Sequence, residues 1–185
     1  MLTRSIVQPP TLDSSRFHSD PSPASESCRA MSVGPRIVFT RFVTGESPKL
    51  QPWREHLARV VGATVTSPVA KQDDVLVWHL VSANNRVLAR SAWVFSSFDE
   101  ATVSARATVE AGAELAVVPV SEERIGTYGW YATLAGETVA TCSRWYVTER
   151  DRRHSIALAL TSLPHATLLR GARLMDPALM GGSRE

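Results

Sequence analysis

The chain has 185 residues, of which 44% are hydrophobic and 21% are charged. This length corresponds to about one domain or two small ones, and the composition is that of an ordinary globular protein. A wholly disordered, collagen-like or heptad-repeat chain is therefore excluded. The formal net charge of +2, from 20 basic and 18 acidic residues, indicates no general attraction to nucleic acid or to a membrane.

The charges are nevertheless segregated along the chain. Residues 36–72 and 138–173 each carry six bases and two acids, whereas residues 73–137 carry four bases and nine acids. This distribution has two interpretations, which are chance placement on solvated faces and a basic surface that meets an anion or an acidic partner.

The two cysteines and the hydropathy pattern bear on the compartment. Cys28 and Cys142 are far apart and fit no zinc or redox spacing, so a reducing compartment is the default. The chain has no run of 18 apolar residues, and its N-terminal part has no continuous apolar segment of the kind found in secretory signals. We therefore expect a cytoplasmic protein with no membrane contact.

The two ends of the chain are predicted to be poorly ordered. Residues 1–35 are rich in proline, serine and charge, and they bury too little apolar area to offset their ordering entropy. Met31 is a candidate for an alternative start of translation, and a start there would remove most of this tail. Residues 175–185 are expected to be frayed.

Residues 36–72 are predicted to form a strand–helix extension. The segment 36–44 is β-branched and aromatic, which is typical of a strand. A helix is expected to start near Pro52 and to stop at Gly62. Its apolar face is formed by Trp53, Leu57, Val60 and Val61.

The strongest pattern in the chain is an internal repeat. Residues 78–99, shifted by 52 positions, align with residues 130–151 without a gap. Six of these 22 positions are identical, whereas residue frequencies of roughly 7% predict about one or two. The repeat predicts one pseudo-symmetric domain over 73–174, with copies at about 75–120 and 127–170. The identical pairs are Trp78 and Trp130, Ala83 and Ala135, Val87 and Val139, Ser91 and Ser143, Trp93 and Trp145, and Asp99 and Asp151.

Each copy is predicted to begin with a β-hairpin. In the first copy the turn Asn84-Asn85, which tolerates a positive φ, joins strands at 75–83 and 86–95. In the second copy a turn at positions 135 and 136 joins strands at 128–134 and 137–147.

A capped helix is predicted to follow each hairpin. Ser96 or Ser97 is the N-cap in the first copy, and Thr148 is the N-cap in the second. Each candidate has an acidic residue three positions later, which suits the free N–H groups and the dipole of a helix start. Strands are expected after the helices, at 114–120 and 166–169.

The segment Trp78–Ser91 resembles the repeat of the YegP-like family of uncharacterised bacterial and archaeal proteins. It contains an aromatic residue, a leucine, an asparagine turn, a valine and a serine, and a capped helix follows. Asn85 stands where the family has glycine, and Ser97 and Glu149 lie where it has a basic residue. Over about residues 75–165 the resemblance implies an α+β fold with one antiparallel sheet, helices on one face and terminal strands exchanged between halves. The family has no established activity, so no function is implied.

The paired tryptophans, Trp78 with Trp130 and Trp93 with Trp145, have two interpretations. Indoles bury a large apolar area and pair across strands, which favours core positions. The alternative is an exposed aromatic platform for a base, a sugar or a partner's side chain.

Five basic residues, Arg144, Arg150, Arg152, Arg153 and His154, surround the predicted start of the second helix. Because helix N-termini bind anions, this cluster is a candidate site for an anion, a partner or a nucleic-acid phosphate. The alternative is a solvated surface on which neighbouring acids pair with the arginines.

No catalytic residue, cofactor site or metal site is assigned. The histidines and cysteines form no ligand spacing, and no nucleotide-binding or nucleophile-elbow motif occurs. We expect a non-catalytic binding or assembly module that acts through protein contacts or self-association, since sheet edges and exchanged strands favour pairing with another chain. The alternative is a nucleic-acid or ribosome-associated factor that uses the arginine cluster.

Overall fold

The computed structural model describes residues 34–62 and 73–175. The predictions for nearly all of the N-terminal tail, for Cys28 and Met31, and for positions 176–185 lie outside the described residues. Within them the chain forms three α-helices and one seven-stranded mixed sheet, which confirms the α+β class. None of the helices in these two ranges is long and apolar enough to cross a membrane.

The strands and helices largely follow the predicted order. The strand order across the sheet is β4-β5-β6-β3-β2-β1-β7, and a short 3-10 turn joins the last helix to the last strand. The elements are β1 (Arg36–Thr44), α1 (Gln51–Val61), β2 (Asp73–Val81), β3 (Val87–Ser91), α2 (Phe98–Glu110), β4 (Ala116–Glu122), β5 (Thr127–Leu134), β6 (Glu137–Cys142), α3 (Glu149–Ser162), the 3-10 turn (Leu163–His165) and β7 (Thr167–Leu174).

The expectation of a fully antiparallel sheet is wrong at one edge, where β7 pairs with β1 in parallel. β1 is therefore an inner strand between β2 and β7. The chain leaves β6, passes through α3 and enters β7 beyond β1, and a parallel pair requires a long crossover connection of this kind. Local sequence patterns carry no information about such a distant pairing.

The inner strands separate two apolar layers. Alternate side chains of β2, such as Leu76 and Trp78, pack with Ala101 of α2 and Ala159 of α3 in one cluster. The intervening residues, such as Val77, pack in a second cluster against α1. Helices α2 and α3 therefore pack on one face of the sheet, while α1, the helix of the N-terminal extension, packs on the opposite face.

The turns and helix starts use the residues that the sequence indicated. Asn85 and Ala135 both have a positive φ, of 65° and 50°, at the tips of the two hairpins. The Oγ of Ser97 accepts the Glu100 N–H at 3.2 Å, so Ser97 rather than Ser96 is the first N-cap. The second N-cap is Thr148, as predicted.

The gap-free alignment of the two halves is wrong after the hairpin turns. His79 pairs with Arg90 in the first hairpin, and Tyr131 pairs with Thr141 in the second. The outgoing partners are 52 positions apart, but the returning partners are 51 apart. The connection in the second hairpin is thus effectively one residue shorter.

Candidate functional site

Trp78 and Trp130 are core residues. They are 0% and 2% exposed, which leaves no ring face available for a base or a sugar. The indole N–H of Trp78 donates to Ser104 Oγ at 3.3 Å, and that of Trp130 donates to Ser155 Oγ at 3.1 Å. Each indole therefore joins a strand to the helix that covers it.

Trp93 and Trp145 do not occupy corresponding positions, because the alignment shifts by one residue after the turn. Trp93 is 40% exposed and donates its indole N–H to the Thr138 carbonyl oxygen at 2.7 Å. Trp145 is half-buried, and the guanidinium carbon of Arg59 lies 4.7 Å from its ring centroid. The second indole thus helps to hold α1 against the sheet.

The structure does not bring the predicted arginine cluster together. Arg152 is half-buried, forms a 3.0 Å ion pair with Glu149 and lies 5.4 Å from the Tyr128 ring. Arg150 and Arg153 are exposed on α3, and the Nε of Arg153 lies 4.0 Å from the same oxygen of Glu149. Two of these three arginines are therefore paired with one neighbouring acid.

The other two members of the predicted cluster, Arg144 and His154, line a cleft of about 780 Å³. The cleft is bordered by α1, the β2–β3 hairpin and α3. It opens where the pairing of β3 with β6 ends, since that ladder has only three register pairs, from Ser91 to Ala89. The two β3 residues beyond this ladder, Val87 and Leu88, line the cleft.

The lining of the cleft is basic. Four lysine and arginine side chains contribute to it, against the single carboxylate of Asp151. His79 and His154 also line it. The four cationic residues are Lys49, Arg86, Arg90 and Arg144.

Arg90 is half-buried and lies on β3 directly across from His79 of β2. Its guanidinium donates to the Ser143 carbonyl oxygen, and its buried Nε has no hydrogen-bond partner among the described residues. No carboxylate of those residues lies within ion-pair distance of it. Burial lowers the pKa of Arg90, yet an arginine stays charged at neutral pH.

Two histidines near Arg90 are kept neutral. Burial, and then the charge of Arg90, lowers the pKa of His79 from 6.5 to about 4. Burial also lowers the pKa of His56 to about 4, and Arg90 adds to this effect. His56 Nε2 lies 2.7 Å from the Cys142 carbonyl oxygen, so this nitrogen carries the proton and donates it to the carbonyl.

The remaining nucleophilic side chains near the cleft are not activated. Burial raises the pKa of the Cys142 thiol to about 11. The Oγ of Ser155 bonds to Trp130 and to the hydroxyl of Tyr146, and its neighbour His154 is exposed. Among the residues that the structure describes, no group of three or more metal-binding side chains occurs.

The sequence did not predict Arg90, Arg86 or His79 as site residues, nor the convergence of the other elements on the cleft. One signal was available, because Arg90 and His79 interrupt otherwise apolar strands. A charged residue at an inward position of a buried strand is unusual and marks a candidate site. The convergence of α1 and α3 on that position depends on tertiary structure and has no local signal.

The chain was compared with family models, curated proteins and solved structures. No family model matches the chain, and no curated protein matches it. A match is found to the solution NMR structure of yegP from E. coli, a protein of unknown function. The chain is similar to yegP. The match to yegP has 13% identity and a TM-score of 0.45, and it covers 76% of this chain and 96% of that chain.

Proposed function

We propose that the protein is a non-catalytic binding module that acts through contact with an acidic surface of another protein. The observation that supports this proposal is the rim of the cleft. Arg86 and Arg144 are exposed there, beside the exposed apolar side chains of Val87 and Met175. Protein interfaces combine apolar contact with complementary charge in this way.

The edges of the sheet favour the rim over strand pairing as the contact surface. The expectation of assembly through sheet edges requires long, regular edge strands. β4 carries Pro119, which lacks a backbone donor, at its centre. β7 contains Gly171 with a φ of 87°, and its register with β1 shifts nearby. Both features oppose the addition of a further strand.

A non-catalytic role fits the chemistry of the nucleophiles. The thiol of Cys142 is buried and holds its proton. The His56 nitrogen that lies 3.7 Å from the sulfur is Nε2, which already carries a proton for the Cys142 carbonyl and therefore cannot accept one from the thiol. Ser155 serves as a structural acceptor between Trp130 and Tyr146. Nucleophilic catalysis requires a nucleophile with an adjacent base, which this arrangement does not provide.

We further propose that the sheet is built from two copies of one structural unit, a hairpin followed by a helix and a strand. β4 follows α2 but pairs with β5, and β7 follows α3 but pairs with β1 beside the first hairpin. These pairings fit an exchange of terminal strands between two halves. The N-cap residues of the two helices, Ser97 and Thr148, support the same correspondence, because they are 51 positions apart.

The test is a capture experiment from native lysate with two charge-matched variants. The first, Arg86→Glu with Arg144→Glu, changes the rim. The second, Arg150→Glu with Arg153→Glu, makes the same change of charge on α3, away from the cleft. We expect a specific acidic partner to be lost with the first variant and retained with the second.

Equal loss of the partner with both variants would show general electrostatic attraction and would contradict the proposal. A salt-dependent gel shift with RNA or DNA tests the alternative function. Nucleic-acid binding that is lost with the α3 variant and retained with the rim variant would instead support the arginine-based factor.

A further inference from the structure

We propose that the interior of the cleft binds a small organic oxyanion, a carboxylate or a phosphate monoester on an apolar body, with Arg90 as its anchor. This goes beyond the proposed protein contact, which concerns the rim. The two proposals share the cleft but not the residues on which they depend.

The first observation is the missing counterion of Arg90. A guanidinium that is largely removed from water is ordinarily paired with a carboxylate or another anion, because its desolvation is costly. Arg90 has a carbonyl oxygen as its recorded partner, and its buried Nε has none among the described residues. His79, the cross-strand partner of Arg90, is neutral at pH 7 and provides no negative charge. A bound anion would compensate this charge.

The second observation is another unpartnered donor on the cleft wall. Trp53 is 5% exposed and lines the cleft from α1. Its indole N–H is buried and has no hydrogen-bond partner among the described residues. Buried indole N–H groups ordinarily find an acceptor. Arg90 and Trp53 thus both have unused donor capacity and line the same cleft.

Asp151, the acid among the lining residues, does not serve as the counterion of Arg90. The carboxylate of Asp151 is exposed and accepts the hydroxyl of Thr148 at 2.8 Å at the start of α3. It forms no ion pair with Arg90 in the part of the chain that the structure describes. The electrostatic potential inside the cleft is therefore positive, which favours the binding of an anion.

The apolar wall indicates what the anionic group is attached to. Phe42, Val77 and Leu158 line the cleft from β1, β2 and α3. Its volume of about 780 Å³ suits a small organic molecule. An inorganic ion alone would fill only a small part of this volume. A small amphiphilic anion fits both the charge and the wall.

The test is isothermal titration calorimetry on the full chain with octyl phosphate, octanoate, octanol and inorganic phosphate. We expect the two amphiphilic anions to bind with one-to-one stoichiometry, and octanol and inorganic phosphate to bind much more weakly. Arg90→Gln, which removes the positive charge and leaves a shorter side chain with an amide donor, is expected to weaken octyl phosphate binding at least about tenfold. Arg153→Gln, the matched control on the exposed face of α3, is expected to leave it unchanged.

A second variant tests the inference independently in case Arg90→Gln does not fold. Trp53→Phe keeps the apolar wall and removes the indole donor, and we expect it to weaken octyl phosphate binding but not the residual binding of octanol. Equal affinities of the wild-type protein for octyl phosphate and octanol would overturn the inference. Equal affinities of wild type and folded Arg90→Gln for octyl phosphate would overturn it as well.

The outcomes separate this inference from the proposed function. If an acidic peptide binds in an Arg90-dependent manner and octyl phosphate does not bind, the cleft is a protein contact and the inference is wrong. If octyl phosphate binds as expected and the Arg86/Arg144 variant retains its protein partner, the inference stands and the proposed function fails.

Discussion

Mild acid is expected to destabilise the fold through His56 and His79. Both have a pKa of about 4 in the folded protein, whereas an unfolded histidine has a pKa near 6.5. Between these values the unfolded chain binds more protons than the folded one, so the free energy of unfolding decreases as the pH falls. This contribution is fully present above pH 6.5 and is lost as the pH falls towards 4.

The size of the effect follows from the two shifts. At pH 5, each shift of roughly 2.5 units removes about 2 kcal/mol of stability. Protonation of the two histidines together lowers the free energy of unfolding by about 4 kcal/mol. This is a large part of the roughly 5–15 kcal/mol that typically stabilises a domain. Arg90 adds to the effect because it repels a proton on either ring.

Urea unfolding at pH 7.5 and pH 5.0, followed by tryptophan fluorescence, measures this loss. The variant His79→Leu with His56→Gln replaces both groups by side chains that do not titrate, and the glutamine amide retains a donor for the Cys142 carbonyl. We expect this variant to lose much less stability at pH 5.0 than the wild type does. His154→Gln, at an exposed position, is the matched control. If the double variant loses as much stability as the wild type, the two buried histidines are not the cause.

Three further stability predictions use the same urea assay. Thr148→Ala removes the N-cap of α3 and is expected to cost about 1 kcal/mol, so an unchanged midpoint would contradict the assigned cap. Gly129→Ala places a Cβ 3.2 Å from the Trp145 ring and is expected to cost about 1–3 kcal/mol by overpacking, whereas a stabilised variant would refute this close approach. Ser155→Ala leaves the buried indole N–H of Trp130 without its acceptor and is expected to cost about 1–3 kcal/mol, and a neutral result would show that another acceptor replaces it.

The local elements could be predicted because their signals lie in adjacent residues. The β-branched run at 36–44 gave the bounds of β1, and Thr148 with an acid at the third position gave the start of α3. Positive φ at Asn85 followed from the turn chemistry of asparagine. Each of these depends on a few neighbouring positions.

The pairing of distant segments could not be predicted in the same way. The parallel pairing of β7 with β1 joins residues more than one hundred positions apart. The one-residue difference between the hairpins was not visible in the sequence, because identical residues align without a gap. Trp93 and Trp145 are therefore aligned in sequence but do not occupy corresponding places in the structure.

The candidate site was difficult to predict for a related reason. The basic residues that are close in sequence around α3 point in different directions, because successive residues of a helix are about 100° apart. The cleft instead combines Trp53, Arg90 and Arg144 from α1, β3 and the segment before α3. Only the fold brings these residues together.

An NMR titration of the isotopically labelled full chain with octyl phosphate tests the central claim most directly. The claim predicts saturable shifts of the Arg90 Nε–H and the Trp53 indole N–H, with no change at the exposed Trp93 indole. Saturable shifts that occur at Trp93 while the Arg90 and Trp53 resonances remain unchanged would contradict an anion site in the cleft.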